Sequence, residues 1–368
     1  MRTKRFVSVF AVIALAVGAL ALAGCGQSTT STTGGTPAAF TGAALVGAGA
    51  TFPGPVYSQW AQSFVKVEPS AQVNYQAIGS GGGVQQFISK TVDFGATDVS
   101  LLASETAKVS APFIQFPTCL GAVVVSYNLP EVTKPLNLDG ATIAKMFLGT
   151  ITKWNDPAIA ALNPGVTLPS TAIQVVHRAD GSGTTSIFTT WLKGQSPDWA
   201  SKVGAGKSVQ WPTGQGGNGN AGVAASMKQT AGSIGYLELQ YALSSSLPVA
   251  SVKAPDGQFV VPNVDSVAKA ASDLSFPITE TTSILDSKVA GAYPIASTTY
   301  ILIYTGQTDQ AKAQTLVDFW TWALTKGQAE LSTLNYAPLP DSVAKASIAE
   351  LAKITVNGTA VTPSAAVK

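Results

Sequence analysis

The sequence predicts an α/β protein of two domains built on substantially parallel sheets. Short apolar runs, many rich in β-branched residues, alternate with segments of helical periodicity along the body of the chain. Alternation of this kind marks β-α-β construction. With an N-terminal targeting segment set aside, about 340 residues remain, enough for two domains of roughly 100–200 residues each. No similarity recurs at a period of about 20–50 residues, so a repeat architecture is not indicated.

That targeting segment opens with Arg2, Lys4 and Arg5, and residues 6–22 follow as an almost unbroken apolar stretch. A basic start before such a stretch is a secretory signal and not a fold element. Its length approaches the roughly 20 residues of a membrane-spanning helix, but it ends in Leu22-Ala23-Gly24-Cys25. This ending resembles the lipobox of bacterial lipoproteins. The resemblance implies that residues 1–24 are a lipoprotein signal peptide and that Cys25 carries lipid, anchoring the protein outside the cytoplasm. Residues 26–37 are almost wholly Gly, Ser, Thr and Gln, too polar to bury. Residues 25–40 therefore read as lipidated cysteine plus flexible tether, with a reach on the order of 20 Å.

In the body, strands are expected at residues 72–75, 92–95, 123–127, 173–177, 233–237 and 299–304. The first helix is expected at residues 55–67, where Val56, Tyr57, Trp60, Phe64 and Val65 form the apolar set. Further helices are expected at 83–90, 139–147, 184–192, 221–230 and 309–326.

The net charge is +2 and only 11% of residues are charged, which argues against a nucleic-acid field or a basic membrane face. Any anion bound here must be held mainly by dipoles. With Cys25 lipidated, Cys119 has no partner, so an intrachain disulfide and a Cys-based metal site are both excluded. Its apolar run, residues 116–125, makes Cys119 a small buried hydrophobe and not a reactive thiol. The single histidine, His177, rules out a two-His zinc site and leaves few ways to build a general base. No metal or cofactor is expected.

Binding chemistry concentrates in three loops of Gly and hydroxyl residues, each where a strand gives way to a helix: Gly47-Ala-Gly-Ala-Thr-Phe-Pro53, Gly79-Ser-Gly-Gly-Gly-Val-Gln85 and Arg178-Ala-Asp-Gly-Ser-Gly-Thr-Thr185. A helix start leaves backbone N–H groups unpaired and carries positive partial charge, so it binds an oxyanion without a cation. Glycines let the backbone approach closely, and Ser and Thr hydroxyls add donors. Each loop alone could be an ordinary capped turn; three together point to a tetrahedral anion. Nucleotide loops fit less well. Gly206-Lys207-Ser208 has Ser201 where a P-loop needs its first glycine, and the Gly-x-Gly-x-x-Gly spacing at 214–219 follows Trp211-Pro212-Thr213, so it reads as a loop. Arg178 suits a bidentate anion contact, with Asp180 placed to orient it. Asp98 ends a strand-like run, where a solvated carboxylate is also common.

These residues resemble a known family, the PstS-type phosphate-binding proteins of the bacterial ABC phosphate importer. The matching strings are the first and third loops, Tyr75-Gln-Ala-Ile-Gly-Ser80, Val92-Asp-Phe-Gly-Ala-Thr-Asp98, Phe147-Leu-Gly-Thr-Ile-Thr-Lys-Trp-Asn155, Gly232-Ser-Ile-Gly-Tyr236 and Tyr336-Ala-Pro-Leu-Pro-Asp341. They extend from about residue 43 to about residue 357 and do not depend on composition.

The resemblance implies a two-lobed periplasmic-binding-protein fold of type II, with the ligand in the interlobe cleft and a two-segment hinge. Residues 41–117 plus 298–368 would form one lobe and residues 118–297 the other, with crossings at Pro117 and residues 294–297. It further implies that Thr51, Phe52, Ser80, Asp98, Arg178, Ser182, Gly183 and Thr184 bind inorganic phosphate and that Asp180 braces Arg178. Asp98 would accept the proton of hydrogen phosphate, which fully ionised sulfate does not have; an unpaired site of this kind can discriminate by about 10⁴–10⁵-fold. The expected partners are phosphate and the permease subunits, with no nucleic acid, and the expected state is a monomer.

Gly81, Thr97, Cys119 and His177 depart from residues frequent in the family. Alternatives at this stage are a receptor for another oxyanion (sulfate, molybdate or phosphonate), a secreted hydrolase, or an adhesion or signalling protein on the same fold. A hydrolase triad of Ser182, His177 and Asp180 is disfavoured, because the three lie too close in sequence to face each other in that way. No enzyme activity is expected.

Overall fold

The computed structural model describes residues 42–272, 274–279 and 282–367. The expected signal peptide, Cys25 and the tether lie outside the described residues. Strands in chain order are β1 (Ala44–Gly49), β2 (Gln72–Ala77), β3 (Phe94–Thr97), β4 (Phe113–Tyr127), β5 (Asn137–Leu138), β6 (Gln174–Arg178) and β7 (Gln215–Gly217). They continue with β8 (Ser233–Glu238), β9 (Ser251–Lys253), β10 (Phe259–Val260), β11 (Ala296–Tyr304), β12 (Gly306–Gln307), β13 (Thr355–Val356) and β14 (Thr359–Ala360). The main sheet has the order β2-β1-β3-β11-β4-β8-β6-β7; the remaining strands form two small three-stranded sheets.

The two flanks of the main sheet are parallel, as expected: β1 pairs with β2 and β3, and β6 with β7 and β8. Its centre is not, because β11 runs antiparallel to β3 and β4, and β4 antiparallel to β8. The reason is topological. A chain that leaves one flank and later returns needs one strand in each direction, and opposed directions pair antiparallel. β4 is 15 residues long, against about 5–6 for an ordinary strand, because it serves both flanks. Residues 113–122 pair with β11 and residues 123–127 with β8.

The strand expected at residues 123–127 is only the end of β4, and Pro117, expected as a crossing between lobes, lies inside the strand. In the structure Pro117 sits at a register shift: it faces Tyr300, Cys119 faces Thr299, and Thr118 is the extra residue between them. A bulge accommodates a residue that has no N–H to give and re-aims its neighbours. Thr118 Oγ1 meets the buried Tyr57 hydroxyl at 2.7 Å, and the facing Thr299 is turned toward Asp98.

Each flank carries its own aromatic packing. Tyr57 and Trp60 of helix Gly54–Phe64 lie on the expected apolar stripe, and Tyr57 packs edge-on against Trp320 of helix Gln310–Leu324, which also touches Phe94 and Phe116. On the other flank Phe188 of helix Gly183–Gln195 stacks on Tyr236 of β8, with Phe147 and Trp211 beside them.

Helices Ser80–Ile88, Gly183–Gln195 and Gly219–Gln229 begin one to three residues before their expected starts. Low glycine propensity concealed those first turns. Gly83 is there for proximity, since a Cβ would fall 2.7 Å from the Ala96 carbonyl oxygen and also against the backbone of β1. Gly83→Ala is therefore expected to cost about 1–3 kcal/mol by overpacking. A urea unfolding midpoint equal to that of the unsubstituted protein would contradict this packing.

Candidate functional site

The three glycine and hydroxyl loops meet at one place between the flanks. In the first, Thr51 and Phe52 follow β1 just before helix Gly54–Phe64, and both are buried. The Thr51 carbonyl accepts from the Tyr241 hydroxyl at 2.7 Å and the Phe52 carbonyl from the Tyr336 hydroxyl at 2.6 Å. These bonds fix the turn from both sides.

Ser80 opens the second helix, and its Oγ accepts the Asp98 backbone N–H at 3.2 Å and donates to Asp98 Oδ2 at 3.3 Å. The Thr299 hydroxyl donates to Asp98 Oδ1 at 2.9 Å. Asp98 is only 2% exposed. Burial pushes its pKa up to about 7, against the lowering effects of the Thr299 hydroxyl, the Arg178 charge and Ser80.

Arg178 ends β6 and is 3% exposed. Its Nε donates to Asp180 Oδ1 at 2.8 Å, its Nη2 to Asp180 Oδ2, and its Nη1 to Thr184 Oγ1 at 3.3 Å. Burial works to raise the Asp180 pKa, yet the hydrogen bonds and charge of Arg178, with the Gly219 N–H at 3.0 Å, bring it below the usual carboxylate value. Ser182 caps helix Gly183–Gln195 by accepting from Thr185 N at 3.0 Å, which leaves its hydroxyl hydrogen to donate. Gly183 touches the opposite flank: a Cβ there would lie 2.5 Å from Ser80 Oγ and from Asp98 Oδ2. Gly81 N donates across to the Gly181 carbonyl at 2.8 Å. The structure thus brings Ser80, Asp98 and Gly183 into contact and pairs Arg178 with Asp180 and Thr184, while Ser182 caps the same helix and Phe52 follows Thr51 in the first turn.

Residues 214–219, expected as a loop, are instead a strand and a helix start. Gln215–Gly217 forms β7 alongside β6, and helix Gly219–Gln229 follows. The strand is only three residues long and lies inside the glycine motif, so looking upstream of the motif could not find it. This helix supplies Asn220, a site residue the sequence reading missed. Its Nδ2 donates to Thr51 Oγ1 at 2.8 Å and to Thr184 Oγ1 at 3.4 Å, while its Oδ1 accepts Glu238 N at 3.1 Å, which fixes the amide orientation. Two hydroxyl oxygens from opposite flanks are occupied as acceptors, and both hydroxyl hydrogens remain available as donors. Thr299 was also missed, since nothing local marks a threonine 201 residues further along the chain as Asp98's partner.

Cys119 is fully buried, and burial pushes its thiol pKa up. His177 stacks on Trp211, with ring centroids 4.8 Å apart, and its Nδ1 lies 3.0 Å from the Arg178 carbonyl. Burial lowers its pKa, so the ring adds no positive charge beside Arg178 near neutral pH. Among the described residues no group of three or more His, Cys, Asp and Glu could hold a metal ion.

A carboxyl whose pKa is raised on folding holds a proton that the unfolded chain has released, so stability falls as pH climbs from about 4 to about 7 and levels above that. Asp98→Asn removes this slope. In the anion-free protein the variant should melt higher than the unsubstituted chain at pH 8, with the gain gone by about pH 4. Parallel melting curves across that range would show that Asp98 does not titrate as its burial requires.

Residues 26–326 match the PBP superfamily domain. The chain is 44% identical to the phosphate-binding protein PstS of Pasteurella multocida over 302 residues, covering 81% of this chain and 87% of that one. It is 42% identical to PstS of Xylella fastidiosa over 304 residues, 82% and 83% of the two chains. It is 36% identical to PstS3 of Mycobacterium bovis over 363 residues, 93% and 96%. Two solved structures share the fold. One is a high-affinity periplasmic phosphate-binding protein (PfluDING) bound with phosphate, with a TM-score of 0.69 at 20% identity, covering 83% of this chain and 93% of that one. The other is a phosphate-binding protein from Stenotrophomonas maltophilia, with a TM-score of 0.67 at 20% identity and the same coverage. The fold is thus that of the two-lobed periplasmic binding proteins, and the identity to PstS sequences over most of both chains completes the assignment: the chain belongs to the PstS family of phosphate-binding proteins within the PBP superfamily.

Proposed function

We propose that the protein binds inorganic phosphate outside the cytoplasmic membrane and delivers it to the permease of an ABC phosphate importer, acting as a receptor and not as an enzyme. The observation that carries this reading is the pairing of convergent neutral donors with one buried carboxylate, Asp98. The proposed ligands are the hydroxyls of Thr51, Ser182 and Thr184, the Ser80 hydroxyl once it turns from Asp98 Oδ2 to the anion, the N–H groups of Phe52, Gly183 and Thr184, and the Arg178 guanidinium, with Asp98 accepting the ligand's proton. Helix starts stabilise the anion by partial charge and hydrogen bonds. Asp180 holds the guanidinium planar to the site, and Asn220 orients the two threonines. The names of the PstS relatives support the choice of phosphate.

In this reading residues 41–117 with 298–368 form one lobe and residues 118–297 the other, with β4 and β11 as the hinge. β4 exchanges β11 for β8 between Ala122 and Val123, shortly after the proposed boundary. Closure is favoured by ligand because only the closed state presents both donor sets. A lipid on Cys25 would keep the monomeric receptor beside its permease. Among the described residues no helix is long and apolar enough to cross a membrane.

The pKa of Asp98, about 7, gives the selectivity a pH dependence. Above that value the carboxylate repels an unprotonated oxygen; below it the carboxyl can donate to one. Calorimetric titration should therefore show phosphate binding at pH 8 without sulfate binding, and measurable sulfate binding near pH 5. Asp98→Asn should bind sulfate at both pH values; sulfate exclusion by the variant at pH 8 would remove Asp98 from this role. Arg178→Ala should weaken phosphate binding by on the order of 3 kcal/mol, the scale for losing a buried charge-assisted contact. A loss under about 0.5 kcal/mol would place Arg178 outside the site.

A further inference from the structure

The Gly206-Lys207-Ser208 segment is no P-loop, yet Lys207 holds a position that the phosphate contacts do not explain. Its backbone carbonyl accepts the N–H of Ser182 at 2.8 Å, so it fixes the residue that caps the third site helix. Its ammonium leaves that loop and reaches Glu105 Oε1 at 2.6 Å on the opposite flank. Glu105 is itself held, because its Oε2 accepts the Leu102 N–H at 3.1 Å. The two side chains are 14% and 18% exposed. The other ion pairs among the described residues either join near neighbours in sequence or, as Lys312 with Asp93, stay within the first flank. Lys207, Leu102 and Asp98 line one cavity of about 210 Å³ together with Ser186, Thr298 and Tyr300, so the pair stands beside the site.

We propose that Glu105 and Lys207 form a latch across the cleft that sets how long the closed receptor holds its ligand, with Lys207 acting as a positioning residue for the Ser182–Thr184 loop. The proposal rests on the phosphate-binding reading. Separating the flanks breaks the ion pair and returns both charges to water, so the attraction acts on the closed state alone. Half-buried, the pair is screened less than a surface pair and avoids the full desolvation of an interior one. Loss of the latch should appear in the release rate, since truncating one partner of a sheltered charge pair acts mainly on dissociation.

The test is stopped-flow release of phosphate from the full-length protein carrying Glu105→Gln, Lys207→Met or both. Each single variant should release phosphate about three- to fivefold faster, and the double variant no faster than either single, because one interaction is lost once. High salt should speed release from the unsubstituted protein and leave the variants nearly unchanged. Melting temperatures without phosphate should match in all four proteins. Release within about twofold of the unsubstituted protein in both singles, additive effects in the double, or a lowered melting temperature without phosphate would overturn the latch, the last by showing a purely structural pair. Glu105→Gln keeps the acceptor for Leu102 N–H, so it decides the matter if Lys207→Met fails to fold. Failure of the unsubstituted protein to bind phosphate would instead overturn the binding reading, so the two failures are distinct.

Discussion

Asp98 and Arg178 are buried in the same site, and each hydrogen-bonds to its own set of partners and not to the other. Asp98 is occupied by Ser80 and Thr299, Arg178 by Asp180 and Thr184. A buried charge without partners costs several kcal/mol, so each needs its own supporting residues. The partners of Asp98 come from distant parts of the chain, Thr299 from β11 and Ser80 from the helix after β2, while those of Arg178 are local, Asp180 in the loop after β6 and Thr184 in the first turn of the helix that follows. Much of the architecture exists to deliver them. The bulge at Pro117 and Thr118 lies opposite Thr299, and the antiparallel centre of the sheet lets β11 pass beside β3, whose last residue Asp98 follows.

Around this pair the protein uses dipoles in place of net charge. With 11% of residues charged and Arg178 already engaged by Asp180, an anion meets helix starts and hydroxyls more than cations. Such donors have direction. Asn220 matters for that reason, since by occupying the oxygens of Thr51 and Thr184 it leaves their hydrogens to point elsewhere. A site of oriented donors with a single carboxylate acceptor recognises one protonation state of a tetrahedral anion, which positive charge alone cannot do.

Much of this was legible in the sequence because the site loops are contiguous strings. Gly and hydroxyl residues at a strand-to-helix turn announce an anion site locally, and the resemblance to the PstS family supplied the role proposed for Asp98. Contacts that depend on tertiary structure were not legible. Thr299 reaches Asp98 from the neighbouring strand, 201 residues on, and Glu105 meets Lys207 from 102 residues away. Asn220 was concealed by a strand too short to recognise, and the length of β4 by a proline that marks a bulge and not an end. Within the main sheet the parallel expectation failed at the centre, where the double crossing between flanks imposes antiparallel pairing.

A crystal structure of the protein grown with phosphate at neutral pH shows whether the proposed donors and Asp98 hold one anion between them. One anion should lie within hydrogen-bond distance of Thr51, Ser80, Arg178 and the Ser182–Thr184 turn at once. One of its oxygens should approach an Asp98 carboxylate oxygen at about 2.5–2.7 Å, the length of a charge-assisted O–H···O bond. An anion seated elsewhere, or an Asp98 carboxylate turned away from every anion oxygen, would contradict it.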